Sequence, residues 1–180
     1  MSFLELAKKR RSIRRYKPDS VPDEIINEIL ESARLAPSGN NTQPWRFIIV
    51  KDAAIKYKLY ESSKRQKFML EAPIIIALLA DITCRVKQVN SVDIPENIVV
   101  LRKVIRDTAI AGEHIALAAT DLGLGSCWNA DFEQEDIKPI LNVPEFCFVV
   151  ALFAIGYPAE DPKPRRRKPL KEIIYYNKFN

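Results

Sequence analysis

Glycine is scarce in this chain, with five residues in 180, and histidine occurs once, at His114. The shortage of glycine excludes the commonest ways of holding a phosphate on backbone N–H groups. No G-x-x-x-x-G-K-[ST] sequence is present. The one paired glycine run, Gly123-Leu124-Gly125, follows a helical pattern, and Trp128 stands where a G-x-G-x-x-G motif needs its third glycine. Any phosphate bound here must be held by side chains. A lone histidine argues against a metal centre built on imidazoles and leaves a Ser-His-Asp system one possible base. Cys84, Cys127 and Cys147 are odd in number, widely spaced and without metal-site spacing, so they read as free thiols in a reducing compartment. Nor does any apolar run approach the roughly 18 residues needed to span a bilayer. Pro73–Ala80 and Phe146–Gly156 both fall well short of it. Met1–Arg10 is too short and too charged for a signal peptide. The expectation is a cytoplasmic protein with no membrane partner.

What the chain has in plenty is arginine, in two places. Arg10-Arg11-Ser12-Ile13-Arg14-Arg15-Tyr16 carries four guanidinium groups and a hydroxyl with no acid between them. Arg165-Arg166-Arg167-Lys168 forms a second basic knot near the other end. Planar guanidinium forks match phosphate oxygens in pairs. The net charge of +5 admits an anionic partner, and nucleic-acid binding is one reading of it. Neither knot sits in a DNA- or RNA-reading module, which puts that reading last.

At 180 residues, 47% hydrophobic and 28% charged, the composition fits one globular domain with a real core. Ser2-Phe3-Leu4-Glu5 reads as a capping box opening a short helix. Ser20, with Pro22 in the first turn, reads as the cap of the next, whose stripe is Ile25, Ile26, Ile29, Leu30 and Ala33. Residues 36–45 form an amide-rich loop between two prolines that leads into a strand over Arg46–Val50. The bland reading of that loop is a connection; the sharper one is a hydrogen-bonding wall for a flat heterocycle. Asp52 caps a helix to about Tyr60, Lys64–Lys67 is polar, and Pro73–Ala80 reads as a strand buried on both faces. Residues 84–96 read as a loop or partly ordered insertion. Asn97–Leu122 is a long Ala-rich helix ending at Gly123, with small residues suited either to core packing or to a second subunit. Phe132–Leu141 reads as a short helix, Phe146–Gly156 as a strand, and Pro158–Pro169 as extended chain. Lys171–Tyr176 reads as a short strand for a neighbour's sheet edge.

Four segments taken together resemble one family. They are Arg10–Arg14, Ala36–Phe47, Gly123–Trp128 and Gly156–Leu170, in that order. They resemble the short members of the nitroreductase family of FMN-dependent oxidoreductases, over nearly the whole chain. The resemblance implies an α+β fold: a mixed, mainly antiparallel sheet flanked by helices, in an intertwined homodimer with flavin sites at the subunit interface. It implies one FMN-binding domain over 1–180, whose extension from about 157 to 180 packs on the partner subunit. By this likeness Arg10, Arg11 and Ser12 hold the phosphate and ribityl end of FMN, and Arg165 and Arg167 close on the phosphate. Arg14 approaches the pyrimidine side. Pro37, Ser38, Gly39 and Asn41 come from the partner subunit to line the ring. Trp128, Asn129 and Ala130 run along the opposite side. Relatives more often place an Asn before the Gln at 64–67; here Arg65 stands there, and Gln66 is assigned the flavin's polar edge. Cys127, beside this segment, reads as a buried apolar thiol.

The implied activity is hydride transfer from NADH or NADPH to FMN, then reduction of a nitroaromatic, quinone or similar small electron-poor acceptor by a ping-pong mechanism. No catalytic side chain and no metal are implied. The same fold also serves dehalogenation, flavin fragmentation and dehydrogenation, which stand as alternatives. The 84–96 segment lies where the family varies in length and often covers the site, so acceptor choice is expected to depend on it.

Overall fold

The computed structural model describes residues 1–87, 91–92 and 95–179. The frame is a four-stranded antiparallel sheet in the order β1-β2-β4-β3, formed by Trp45–Val50 (β1), Ile74–Asp81 (β2), Gly125–Asn129 (β3) and Cys147–Gly156 (β4). Around it lie Phe3–Lys9 (α1), Asp23–Arg34 (α2), Ala53–Ser62 (α3), Phe68–Glu71 (α4), Ile98–Asp121 (α5) and Gln134–Leu141 (α6).

Strand β2 shows how the layers are built. All eight of its residues are buried, because successive side chains feed opposite cores. Ile74, Ile76, Leu78 and Ala80 face a cluster with Ile29 and Ala33 of α2 and Ala111, Ile115 and Ala119 of α5. Ile75, Ala77 and Leu79 face a second cluster with Leu59 of α3, Met69 of α4 and Ile137 of α6. A register shift at Leu78/Leu79 leaves Val150 as an extra residue in β4, so Val150 and Ala151 both serve the first cluster. The small residues of α5 are therefore used within the chain, where they let the helix lie close on α2 and the sheet. Gly112 of α5 leaves room for the Trp128 indole; a Cβ there would meet the ring at 2.6 Å.

The capping box at Ser2 is present, with the Glu5 carboxylate accepting from the Ser2 N–H at 2.7 Å and the Ser2 hydroxyl accepting from the Glu5 N–H at 3.3 Å. Asp52 caps α3 through Ile55 N–H at 2.8 Å. Three local expectations change. Helix α2 starts after Pro22, whose fixed φ suits the entry, and Ser20 lies outside it without a capping bond. Residues 171–176 form no strand: Leu170–Glu172 is a single 3-10 turn followed by bends, since a lone strand has no ladder to join. Gly125–Asn129 is a strand that its mixed composition did not announce. The insertion expected at 84–96 begins in a 3-10 turn over Ile82–Cys84, and 88–90 and 93–94 lie outside the described residues. No helix among the described residues is long and apolar enough to cross a membrane.

Candidate functional site

The Arg10–Tyr16 stretch leaves α1 as an extended arm laid between β3 and the chain that follows β4. Ser12 makes an isolated parallel bridge with Ser126, and Ile13 donates its N–H to the Ser126 carbonyl at 3.0 Å. On the other side Lys17 N–H donates to Tyr157 O and Ala159 N–H to Arg15 O, both at 2.9 Å. The anchors are Ile13 and Tyr16, each 7% exposed. Gly125 gives Ile13 its seat, since a Cβ at that position would stand 2.6 Å from Ile13 Cγ1. The Tyr16 hydroxyl lies 2.6 Å from Ile13 O and 2.9 Å from Ala154 O, sharing its proton between two carbonyls. Burial pushes that phenol above its usual pKa, so it stays neutral. With these two residues turned inward, Arg14 and Arg15 are left outward.

The two basic knots meet. Ala7 and Lys8 of α1 and Arg11 of the first knot, with Pro164 and with Arg165 and Arg167 of the second, line one cavity of about 420 Å³ that has no acidic residue in its wall. Arg11 is steadied there by carbonyls at the end of α1: its Nη1 donates to Arg10 O at 2.7 Å and to Lys8 O. Arg165 and Arg167 are exposed, and Arg167 Nη1 donates to Arg165 O at 3.3 Å. Arg10 is not among the lining residues. Its Nε stands 3.8 Å from the Glu113 carboxylate of α5.

Farther along the arm a second group collects. Arg14 donates its backbone N–H to the Glu160 carboxylate, and its guanidinium sits 6.0 Å from the centre of the Phe68 ring. Gln66, half-buried, belongs to the turn just before Phe68. Lys64 of that turn is paired with Asp131, which ties it to the end of β3. There the Trp128 ring meets Phe153 edge-on at 4.7 Å and remains 38% exposed. Asn129 is buried; its Oδ1 accepts from Asp131 N–H at 3.1 Å, and its Nδ2 has no partner among the described residues. Ala130 follows, exposed. Cys127 is buried one residue before Trp128, and burial raises its thiol pKa, as it does for Cys84 and, to about 11, for Cys147. All three are protonated thiols at neutral pH, unsuited to nucleophilic work.

The 36–45 loop stands apart. Ser38 Oγ accepts from Gln43 N–H at 3.0 Å and Ser38 O from Asn41 N–H at 2.9 Å, while Pro37 and Asn41 are exposed. Gly39 sits against Asp107 of α5 and Arg85, its N–H donating to Asp107 Oδ2 at 3.1 Å and its carbonyl accepting from Arg85 Nη2 at 2.8 Å. Among the described residues no hydrogen bond or ion pair joins this loop to Arg10–Arg14 or to Trp128–Ala130. The expected site residues thus fall into three groups within one chain: the cavity, the Arg14 to Trp128 end of the arm, and the 36–45 loop. Asp107 and Arg85 were not anticipated. The signal for Asp107 was an acid next to the buried α5 positions 104, 108 and 111, whereas Arg85 had none.

A model of the nitroreductase family matches residues 7–66 and 61–157. The chain is similar to an NADH dehydrogenase of Thermus thermophilus, 34% identical over 191 residues that cover 94% of this chain and 93% of that protein. It is also similar to an iodotyrosine deiodinase of Thermotoga neapolitana, 27% identical and covering 97% of each. A crystal structure of a nitroreductase family protein from Clostridium difficile superposes with a TM-score of 0.81, at 29% identity over 99% of this chain and 100% of that one.

Proposed function

Because the chain belongs to the nitroreductase family, and is an oxidoreductase of that type, we propose that it is an FMN-dependent NAD(P)H oxidoreductase that works as a homodimer. The observation that carries this reading is the acid-free cavity where Arg11, Lys8, Arg165 and Arg167 converge. An FMN phosphate carries close to two negative charges, and burying it without cationic donors costs far more than a binding site can recover. The cavity lies within the usual size range of ligand pockets, about 300–1,000 Å³. The buried amide nitrogen of Asn129 adds a donor with no partner among the described residues, as a ligand acceptor would require. These residues fit the group.

In this reading Arg11, Arg165 and Arg167 hold the phosphate, with Arg10 and Ser12 at its margin. Arg14 lies over Phe68 toward the pyrimidine edge, with Gln66 nearby, and a cation there favours a reduced anionic flavin. Trp128, Asn129 and Ala130 line one side of the ring. When bound, FMN supplies the two-electron chemistry between NADH or NADPH and a small electron-poor acceptor such as a nitroaromatic or quinone. The chain positions the donor and acceptor and excludes water. No protein thiol or base takes part.

The homodimer accounts for the separated loop, since Pro37, Ser38, Gly39 and Asn41 of one subunit would face the site of the other. It also gives the end of the chain a place. Ile173, Ile174, Tyr175, Tyr176 and Phe179 are exposed, the last two by more than 80%, a pattern expected of a segment that docks. Strand β1 is a sheet edge. Beside it runs a cleft of about 620 Å³ lined by Ile26, Leu30, Ile48, Ile49, Ile55 and Ile140 among others. The 157–180 extension of the partner subunit fits that edge, and 1–180 forms one FMN-binding unit.

Anaerobic mixing of the flavin-loaded protein with NADH and with NADPH tests the reading. Bleaching of the blue absorbance, restored by a nitroaromatic or a quinone, is expected. Full turnover in flavin-free protein would overturn it. The similarity to an iodotyrosine deiodinase supports a second reading, reductive dehalogenation on the same site, which iodide release from iodotyrosine would reveal.

A further inference from the structure

The contact between Gly39 and the Arg85–Asp107 pair has no part in the roles given so far. Asp107 is 3% exposed on α5, and its Oδ2 is 2.9 Å from Arg85 Nη2. That same oxygen and that same nitrogen take the Gly39 N–H and carbonyl, so both faces of one residue's backbone are held by one ion pair. Arg106 reaches the other carboxylate oxygen only at 3.7 Å and is largely exposed. The fit is close, since a Cβ at position 39 would stand 2.7 Å from Arg85 Nη2 and 3.4 Å from Asp107 Oδ2, and would push the guanidinium off its place.

Two features show that this pair serves position more than stability. A buried ion pair seldom stabilises a fold over an apolar pair of equal volume, because desolvation offsets the attraction. Here Arg85 Nε is also buried without a partner among the described residues, a further cost. Second, Asn40, Asn41 and Gln43 all hold positive φ, at 55°, 54° and 48°. Asn enters this region more readily than most side chains, but Gln does not, and three such residues within four positions need surroundings that hold them. The Arg85–Asp107 pair grips the residue just before that run.

We infer that Arg85 and Asp107 are positioning residues, an ionic clamp that fixes the backbone of the 38–43 loop in its strained form for the flavin face of the neighbouring subunit. The inference rests on the proposed dimeric flavin site for its consequence, but not for the clamp itself. The clamp joins three elements: the loop, the long helix, and the 3-10 turn that opens the 84–96 segment.

The test replaces both charges with apolar groups, Arg85→Met with Asp107→Leu, and uses Gly39→Ala as a second variant that leaves the charges in place. Two readouts are taken on the full-length protein. Hydrogen exchange of the 36–45 peptide should speed up by about tenfold or more in either variant, while that of β2 and β4 stays slow. FMN affinity, measured by fluorescence quenching, should fall by about tenfold or more, with the melting temperature of the unliganded protein little changed for Arg85→Met/Asp107→Leu. A lower melting temperature with unchanged loop exchange and unchanged FMN affinity would overturn the clamp. If the double variant fails to fold, the same two readouts on Gly39→Ala decide. Should the wild-type protein bind no FMN, the flavin reading fails, and the exchange result alone decides whether the clamp exists.

Discussion

The two arginine knots differ in how they are held. The first lies on an arm stitched to β3 and to residues 157–159 by backbone bonds, with Ile13 and Tyr16 sunk into the core. The second lies on an exposed, proline-bounded stretch in which Arg167 donates to its own chain at Arg165. Lys8 and Arg11 are thus set in place by the fold before any ligand arrives, while Arg165 and Arg167 are brought near by covalent connection. For the proposed site the comparison teaches a division of labour: one jaw is preformed, and the other would be completed by a partner subunit and a bound anion. Preorganising one side lowers the entropy cost of binding, and leaving the other loose lets a cofactor enter.

The largest test of that division removes what the loose jaw is proposed to lean on. Ending the chain at Pro169 should convert the dimer to monomer and abolish FMN binding, read by light scattering and by titration. Retained dimer and affinity would detach the tail from the site. Next is the fixed jaw. Ile13→Ala should cost about 2–5 kcal/mol of folding stability in a denaturant titration, as for other buried aliphatic truncations, and weaken FMN binding by releasing the arm. Single charge removals come third. Arg11→Ala and Arg165→Ala should each weaken FMN by about 1.5–3 kcal/mol, with Arg165→Ala leaving the unliganded protein's stability unchanged. Arg10→Ala should do less, since Arg10 faces Glu113 and does not line the cavity.

The smallest effect is with pH. Burial raises the thiol of Cys147 to about 11 and the phenol of Tyr16 above its usual value. Both groups are therefore neutral in the folded chain over a range where the unfolded chain ionises. The Cys147 contribution is whole below about pH 9 and is lost as pH rises toward 11, whereas that of Tyr16 begins to be lost only above pH 10. The urea midpoint should fall across that window, and Cys147→Ala should flatten part of the slope.

Much of this architecture could be read in advance, and the reasons are physical. Continuous apolar runs at 73–80 and 146–156 have no use except strands buried on both faces, and both became central strands. Ser2 and Glu5 announce a helix start because the capping box is local in sequence. Strand β3 escaped because Gly-Ser-Cys-Trp-Asn has little β propensity; it is a strand through its pairing with β4 and the arm. Lys171–Tyr176 forms no strand within this chain, because the ladder expected for it belongs to a neighbour's sheet edge. The meeting of Arg11 with Arg165 and Arg167 was left open by charge and by the absence of glycine loops, and was expected only from the family resemblance. That Arg10 points elsewhere was not, since side-chain direction depends on where the arm lies. Arg85 gave no signal at all, because its partners lie 46 and 22 residues away.

The central claim is that the two knots close on one phosphate. It is tested most directly by comparing FMN with riboflavin, which lacks only that phosphate, in wild type and in Arg11→Ala/Arg165→Ala. Fluorescence titration should show FMN bound at least about a hundredfold more tightly than riboflavin by wild type, as two charge-assisted contacts require, and nearly equal affinities in the double variant. Equal affinity for FMN and riboflavin in the wild-type protein would contradict the account.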